Sequence, residues 1–334
     1  MFKISYSKNC LIISGLILLL IFSVLISLSI GRYVISLQDI LNFSFGGYVS
    51  DPTVSTLLLD IRLPRILGAI FVGGALSVSG AAYQGLFRNP VVSPDILGVS
   101  QGSGFGAALA ILLSFGMLGI QLSAFVMGIF SVCLSLSISR ITGKRRDRML
   151  MLVLSGIIVG SLFGALISFL KYIADSEYKL PDITFWLMGS LTNITVHELK
   201  FVIPIVVTFS VLLFLFSWQM NVLSFGEEEA QSMGINIGVL RLVVIVCSTF
   251  LTAAAVSVTG LIGWVGLIIP HVTRFLTGPN YKFLFPASFL LGATFLLCVD
   301  DLARTVSSLE IPLGIITSII GAPVFFMVLS MKKK

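Results

Sequence analysis

Charge is what this sequence has least of. Only 11% of its 334 residues are Asp, Glu, Lys or Arg, against 57% hydrophobic residues, and the mean hydropathy is +1.07. A water-soluble globule needs a far more polar surface, so that class is excluded. Histidine is limited to two residues, and the four cysteines (Cys10, Cys133, Cys247, Cys298) all lie inside or at the edge of apolar stretches. No CxxC and no Cys/His metal spacing occurs, so neither a metal site, a bound cofactor nor a disulfide framework is expected. A GxxxxGK[ST] phosphate loop is also missing: the one Gly-Lys pair, Gly143-Lys144, lacks both the upstream glycine and the following Ser/Thr. Gly102-Ser103-Gly104-Phe105-Gly106 superficially matches a dinucleotide fingerprint, but no strand precedes it and its surroundings are apolar. Close helix packing is the better account. With no Ser/His/Asp or paired-carboxylate arrangement either, the chain is not expected to be an enzyme.

What is there instead is a succession of long apolar runs. A span needs about 20 mainly apolar residues to cross roughly 30 Å of hydrocarbon. Ten candidates fall near 10–30, 62–82, 94–112, 118–139, 149–170, 196–217, 237–256, 259–270, 282–303 and 312–331. The expectation is an all-α, polytopic transmembrane bundle forming one domain over residues 1–334. The eighth run is too short to cross alone and reads as a half-span packed within protein, closed by Pro270 at His271. The first run is longer than the apolar core of a signal peptide and lacks a small-residue cleavage site, so it is read as a retained helix.

The scarce charges are sorted. Lys3, Lys8, Arg88, Arg140, Lys144, Arg145, Arg146, Arg148, Arg241, Arg274, Lys282 and Lys332, Lys333, Lys334 fall on the side of the termini, fourteen of the 21 basic residues. Arg32, Arg62, Arg65, Lys171, Lys179, Lys200 and Arg304 fall on the other. Positive charge favours the cytoplasmic side, which puts both termini in the cytoplasm of a cell-membrane protein. The net charge of +6 then needs no nucleic-acid partner, only the bilayer. No ionisable group sits mid-span, where one costs about 2.5–3.5 kcal/mol and ion-coupled carriers often keep one. That argues against an ion-driven carrier, and the missing phosphate loop rules out an internal ATPase. The energy comes from elsewhere.

Small residues mark where helices approach closely. Gly156, Gly160 and Gly164 share one face of the fifth run, Gly98 and Gly102 one face of the third, and Gly68, Gly73, Gly74 and Gly80 lie in the second. Ser93-Pro94-Asp95 reads as a capped helix start, and Leu180-Pro181-Asp182 as the start of a short external helix. Ser224 to Arg241 differs from every span. Glu227, Glu228 and Glu229 before Ala230-Gln231-Ser232-Met233-Gly234-Ile235 form the acidic first turn of a short amphipathic helix stopped by Gly234. Arg62 and Arg65, three apart, and Arg304, beyond Asp300 and Asp301, run against the positive-inside trend, with Asp60, Asp300 and Asp301 as local partners.

Several segments together resemble one family. They are Arg62-Leu63-Pro64-Arg65, Gly80-Ala81-Ala82-Tyr83-Gln84-Gly85-Leu86-Phe87-Arg88-Asn89-Pro90, and Pro94-Asp95-Ile96-Leu97-Gly98-Val99. Later come Gly263-Trp264-Val265-Gly266-Leu267-Ile268-Ile269-Pro270-His271 with Arg274, and Pro312-Leu313-Gly314-Ile315 through Gly321-Ala322-Pro323. In that order they resemble the permease subunit of ABC importers for vitamin B12, ferric siderophores and haem. The resemblance implies a homodimer of ten-helix subunits, two separate ATP-binding subunits and an extracytoplasmic substrate-binding protein. It also implies that Glu227–Ile235 docks in the ATPase and that Arg62, Arg65 and Arg304 meet acidic residues of the binding protein. His271 and Arg274 belong to a motif at the cytoplasmic end, and His197 is merely interfacial. The pathway is implied for the fifth and tenth runs, the helix after Pro181 and the third run. A ferric siderophore is the expected cargo by its frequency in that family, with haem, cobalamin and molybdate open in the same architecture. An ion-coupled carrier is the reading from a different class.

Overall fold

Apolar runs that must satisfy their own backbone groups fold as helices, and the computed structural model contains no strand among its described residues. Those residues are 2–31, 33, 35–36, 38–39, 52–142, 148–307 and 309–331. Arg32, the stretch from Gly143 to Arg146, and Lys332 to Lys334, all weighed above, lie outside them. The helices are α1 (Phe2–Ser29), α2 (Val54–Leu86), α3 (Val99–Leu112), α4 (Met117–Thr142), α5 (Arg148–Ile173) and α6 (Lys179–Met188). They continue with α7 (Val196–Leu215), α8 (Ser217–Leu223), α9 (Glu227–Ser232), α10 (Ile237–Thr259), α11 (Val265–Thr277), α12 (Tyr281–Thr305) and α13 (Leu313–Met331).

Among the described residues, 7 helices are long and apolar enough to cross a membrane: α1, α2, α4, α5, α7, α10 and α12. The shorter apolar helices α3, α11 and α13 stand where the other three runs were expected. Two boundaries differ from expectation. The third run does not begin at Pro94, because Pro94–Leu97 is a separate 3-10 turn and Gly98, at φ 84°, breaks it from α3. Ser93 has the extended backbone of a cap, but its side chain makes no capping bond. The eighth run does not stop at His271; α11 starts at Val265, after Trp264 at φ 71°, and continues through Pro270 to Thr277. Pro270 lies just past the first turn, where its missing N–H leaves one carbonyl, that of Gly266, without its helical donor.

The core is centred on α2, 83% of whose membrane window is buried, whereas α1 is only 17% buried and touches the bundle mainly along α12. Bare backbone makes this density possible. Gly73 lies on the Gly292 carbonyl of α12, and Gly80 lies on the Gly266 carbonyl of α11, so a Cβ at either would overlap main chain. One polar group in the same core pairs across helices: Ser79 Oγ stands 2.9 Å from Thr252 Oγ1 and donates to the Ser248 carbonyl at 3.1 Å.

The glycine face of α5 divides. At Gly156 a Cβ would overlap the Ile96 carbonyl, and at Gly102 it would stand 2.6 Å from the Met127 carbonyl oxygen of α4. At Gly160 and Gly164 the nearest atoms are 3.9 Å and 3.7 Å away, and both line an open groove with Asp95, Gln101 and Ser161. Gly156→Ala is therefore expected to lower the melting temperature and the folded yield, while Gly164→Ala changes stability by less than about 0.5 kcal/mol. Thermal melting of the purified variants in detergent checks both.

Candidate functional site

Chain alternation brings the start of α1, the end of α2, α8, α9 and the α11–α12 turn to one end, that of the termini. Asn9 Nδ2 donates to the Thr277 carbonyl at 3.1 Å. Asn221 of α8 donates to Asn280 Oδ1 at 2.9 Å and accepts from the Tyr281 amide at 2.8 Å, tying this helix to the start of α12. The sequence reading missed α8: the sixth run ends at 217 and the next segment starts at Ser224, with the residues between them unassigned. Asn221 inside Trp218–Val222 was the available signal.

The acidic segment forms α9, with Glu227, Glu228 and Glu229 in its first turn, where unpaired amides favour negative charge. Gly234, at φ 80°, closes it by letting its own amide reach the Gln231 carbonyl at 2.9 Å and that of Ile235 reach Ala230 at 3.0 Å. Ala230 and Ile235 are buried and anchor the turn, Gln231 and Ser232 face outward, and Arg241 pairs with Glu227 at 2.8 Å. Two large apolar side chains flank the segment and point away: Phe225 is 75% exposed and Met233 56%.

The residues of the α11 motif are held inward. His271 is buried, its ring 5.5 Å from that of Phe275. Arg274 Nη1 donates to Gln84 Oε1 at 2.5 Å, and Gln84 Nε2 donates to the Leu267 carbonyl at 3.0 Å, so Gln84 clasps α2 to α11. His197 is exposed at the opposite end, in the capped first turn of α7.

At that far end the structure brings Arg62, Arg65 and Arg304 into one cluster with Asp300, Asp301 and Glu310. A wide π turn over Leu57–Arg62 precedes Arg65 within α2. Arg62 donates to the Leu28 and Tyr33 carbonyls. Arg304 donates to the Ser27 and Ile30 carbonyls, each at 2.6 Å, and pairs with Asp301 at 2.5 Å. The carbonyls that a helix end leaves unpaired are thus taken, at the end of α1, by two guanidiniums. Arg65 meets Asp300 at 2.8 Å and Glu310 at 3.0 Å. Asp60, expected as a partner, is exposed and makes none of these bonds. Glu310, which the sequence reading passed over, stands in its place.

A bundle in which 7 described helices are long and apolar enough to cross a bilayer is that of a multi-pass membrane protein. The chain belongs to the FecCD transport family, whose sequence profile matches residues 19–331. It is 44% identical to the molybdate import system permease MolB of Haemophilus influenzae, over 96% of this chain and 95% of that one. The cobalamin import permease BtuC of Halobacterium salinarum is 39% identical, over 83% and 74%. The hemin transport permease HmuU of Yersinia pestis is 35% identical, over 94% of each chain. Among solved structures, a metal-chelate type ABC transporter in an inward-facing conformation matches with a TM-score of 0.88 and 42% identity, over 96% of this chain and 99% of that one. PsaBC of Streptococcus pneumoniae shares the fold alone, at a TM-score of 0.56 and 20% identity. As an ABC permease the chain is a transport subunit; ATP hydrolysis lies in separate subunits, and a substrate-binding protein is a further partner.

Proposed function

We propose that two copies of this chain form the conduit of an ATP-driven importer for a metal–chelate complex, a ferric siderophore first among them. In this reading both termini face the cytoplasm and Glu227–Ile235 is the segment that engages the ATP-binding subunit. His271 and Arg274 brace the same cytoplasmic end, and Arg62, Arg65 and Arg304 set the charge of the face where the binding protein docks. The close packing at Gly98, Gly102 and Gly156, beside the roomier Gly160 and Gly164, shapes a conduit wall.

One observation carries the reading: the α9 turn is anchored by buried Ala230 and Ile235 while Phe225 and Met233 project from it. Exposed apolar side chains beside an acidic helix are suited to a protein cleft. Met233→Asp is expected to abolish uptake and transport-linked ATP hydrolysis while the permease still inserts and melts normally. Uptake at the original rate would end the assignment.

The cargo reading draws on the groove beside α5, a space of about 410 Å³ that carries one carboxylate, Asp95, held by the Ser100 hydroxyl, and no cation among its lining residues. That suits a neutral or cationic chelate better than an oxyanion. The 44% identity to a molybdate permease favours the second reading, molybdate. Uptake of labelled ferric chelate and of labelled molybdate by vesicles holding the assembled importer decides between them.

A further inference from the structure

Arg65 holds two carboxylates that are not equivalent. Asp300, 1% exposed, takes the Nε/Nη2 edge from inside the bundle, while Glu310, 28% exposed, takes the Nη1/Nη2 edge from the solvent side. Both edges on which a guanidinium binds a carboxylate with two bonds are therefore filled. An acid arriving from outside reaches that geometry only by taking the place of Glu310. The other two arginines offer no such exchange, since their guanidiniums are spent on the main-chain carbonyls at the end of α1 and on Asp301.

Glu310 also reaches the segment that leaves α6. Its Oε2 accepts from Thr192 Oγ1 at 2.6 Å, and Thr192 Oγ1 stands 2.7 Å from Ser190 Oγ. The Ser190 amide in turn donates to the Thr259 carbonyl at 2.7 Å, at the end of α10. A cavity of about 460 Å³, lined by Lys179, Asp182, Trp186, Thr192 and Glu310 among others, lies beside this segment. Room to move and a single side chain joining α2 to the α6 exit occur together.

We propose that Glu310 is a displaceable counter-ion. A carboxylate of the docking binding protein takes its place on Arg65, and Glu310, released toward Thr192 and the cavity, passes the event to the loop after α6. The exchange leaves the charge at Arg65 unchanged, so it avoids stranding a buried ion. The proposal rests on the docking reading given above.

The test uses the permease with its ATP-binding subunits in nanodiscs, titrated with the importer's own soluble binding protein at low and at high salt. Glu310→Gln keeps the shape but removes the competing charge, and is expected to tighten binding about tenfold at low salt, the size of one desolvated charge pair. Hydrogen exchange at amides 189–195 should change on docking in the unaltered complex and stay unchanged in Glu310→Gln. Thr192→Val, a change at an exposed loop position, should keep wild-type affinity and lose the exchange response. Wild-type affinity in Glu310→Gln, with salt-sensitive binding by the unaltered complex, overturns the counter-ion role and leaves docking standing. Salt-insensitive binding by the unaltered complex removes the docking reading itself. A normal exchange response in Thr192→Val also overturns the relay.

Discussion

A Gly80→Val protein is expected to yield no folded permease. Gly80 lies midway along the most buried stretch of the chain, and a Cβ there would overlap the Gly266 carbonyl of α11. The obstacle cannot rotate away, because it is main chain. Gly266 is itself pressed between the Pro94 ring and the Leu76 carbonyl, the latter 2.7 Å from where its own Cβ would be. The two helices thus meet backbone to backbone, with the Pro94 ring closing the third side. Overpacking a core costs about 1–3 kcal/mol where side chains can give, and more where they cannot; here the loss should exceed about 4 kcal/mol of a total of roughly 5–15. Size-exclusion chromatography of a fluorescent fusion should show aggregate only. Gly15→Ala, at a site with nothing within 4 Å, should run as the unaltered protein does. A monodisperse Gly80→Val protein with normal melting would show that α2 and α11 do not meet this way.

Arg65→Met is expected to be nearly as damaging, for an electrostatic reason. It leaves Asp300, 1% exposed, facing only Arg304 at 4.0 Å. Removing one partner of a buried ion pair costs about 3–5 kcal/mol, because the survivor keeps its desolvation penalty. Replacing both partners removes that penalty, so Arg65→Met/Asp300→Leu should melt within a few degrees of the unaltered protein and well above the single variant. Glu310 then loses Arg65 but retains Thr192 and water. If the double variant were as unstable as the single one, the stability of the cluster would come from its shape and not from its charge balance. The Glu227–Arg241 pair gives the contrast: its carboxylate is 44% exposed, and breaking it should cost less than about 1 kcal/mol.

Much of this was legible because charge is so scarce. Arg62, Arg65 and Arg304 stood out against the trend of the loops, and the three glutamates before Gly234 announced α9. Local chemistry was enough there: a run of acids favours a helix start, and a glycine supplies the left-handed stop. The misses have the opposite character. Trp264 at φ 71° is a conformation no sequence rule assigns to a tryptophan; the indole is seated against Gly321, where a Cβ would come within 2.7 Å of it. Tertiary packing sets that break, and it also carries α11 past Pro270, which local rules read as a stop. Glu310 was passed over because its partners lie 245 and 118 residues away in sequence, on α2 and after α6. The glycines of α5 looked equivalent by spacing and are not, since only Gly156 faces the Ile96 carbonyl.

The π turn at Leu57–Arg62 bears on how the outer part of α2 is phased. Such a turn is an α-helix holding one surplus residue. Removing that residue, for example Ile61, would let the regular ladder close and leave everything before it on nearly the same side relative to Arg65, because the wide turn already absorbs the roughly 100° that one residue adds. Straightening the turn with the residue kept would instead rotate that part by about 100°, and Val54 and Leu58, now buried against Ile35, would swing off that contact while the arginine below them stayed in place. The widened turn therefore keeps two neighbouring patches, one greasy and one ionic, in register with each other despite the surplus residue.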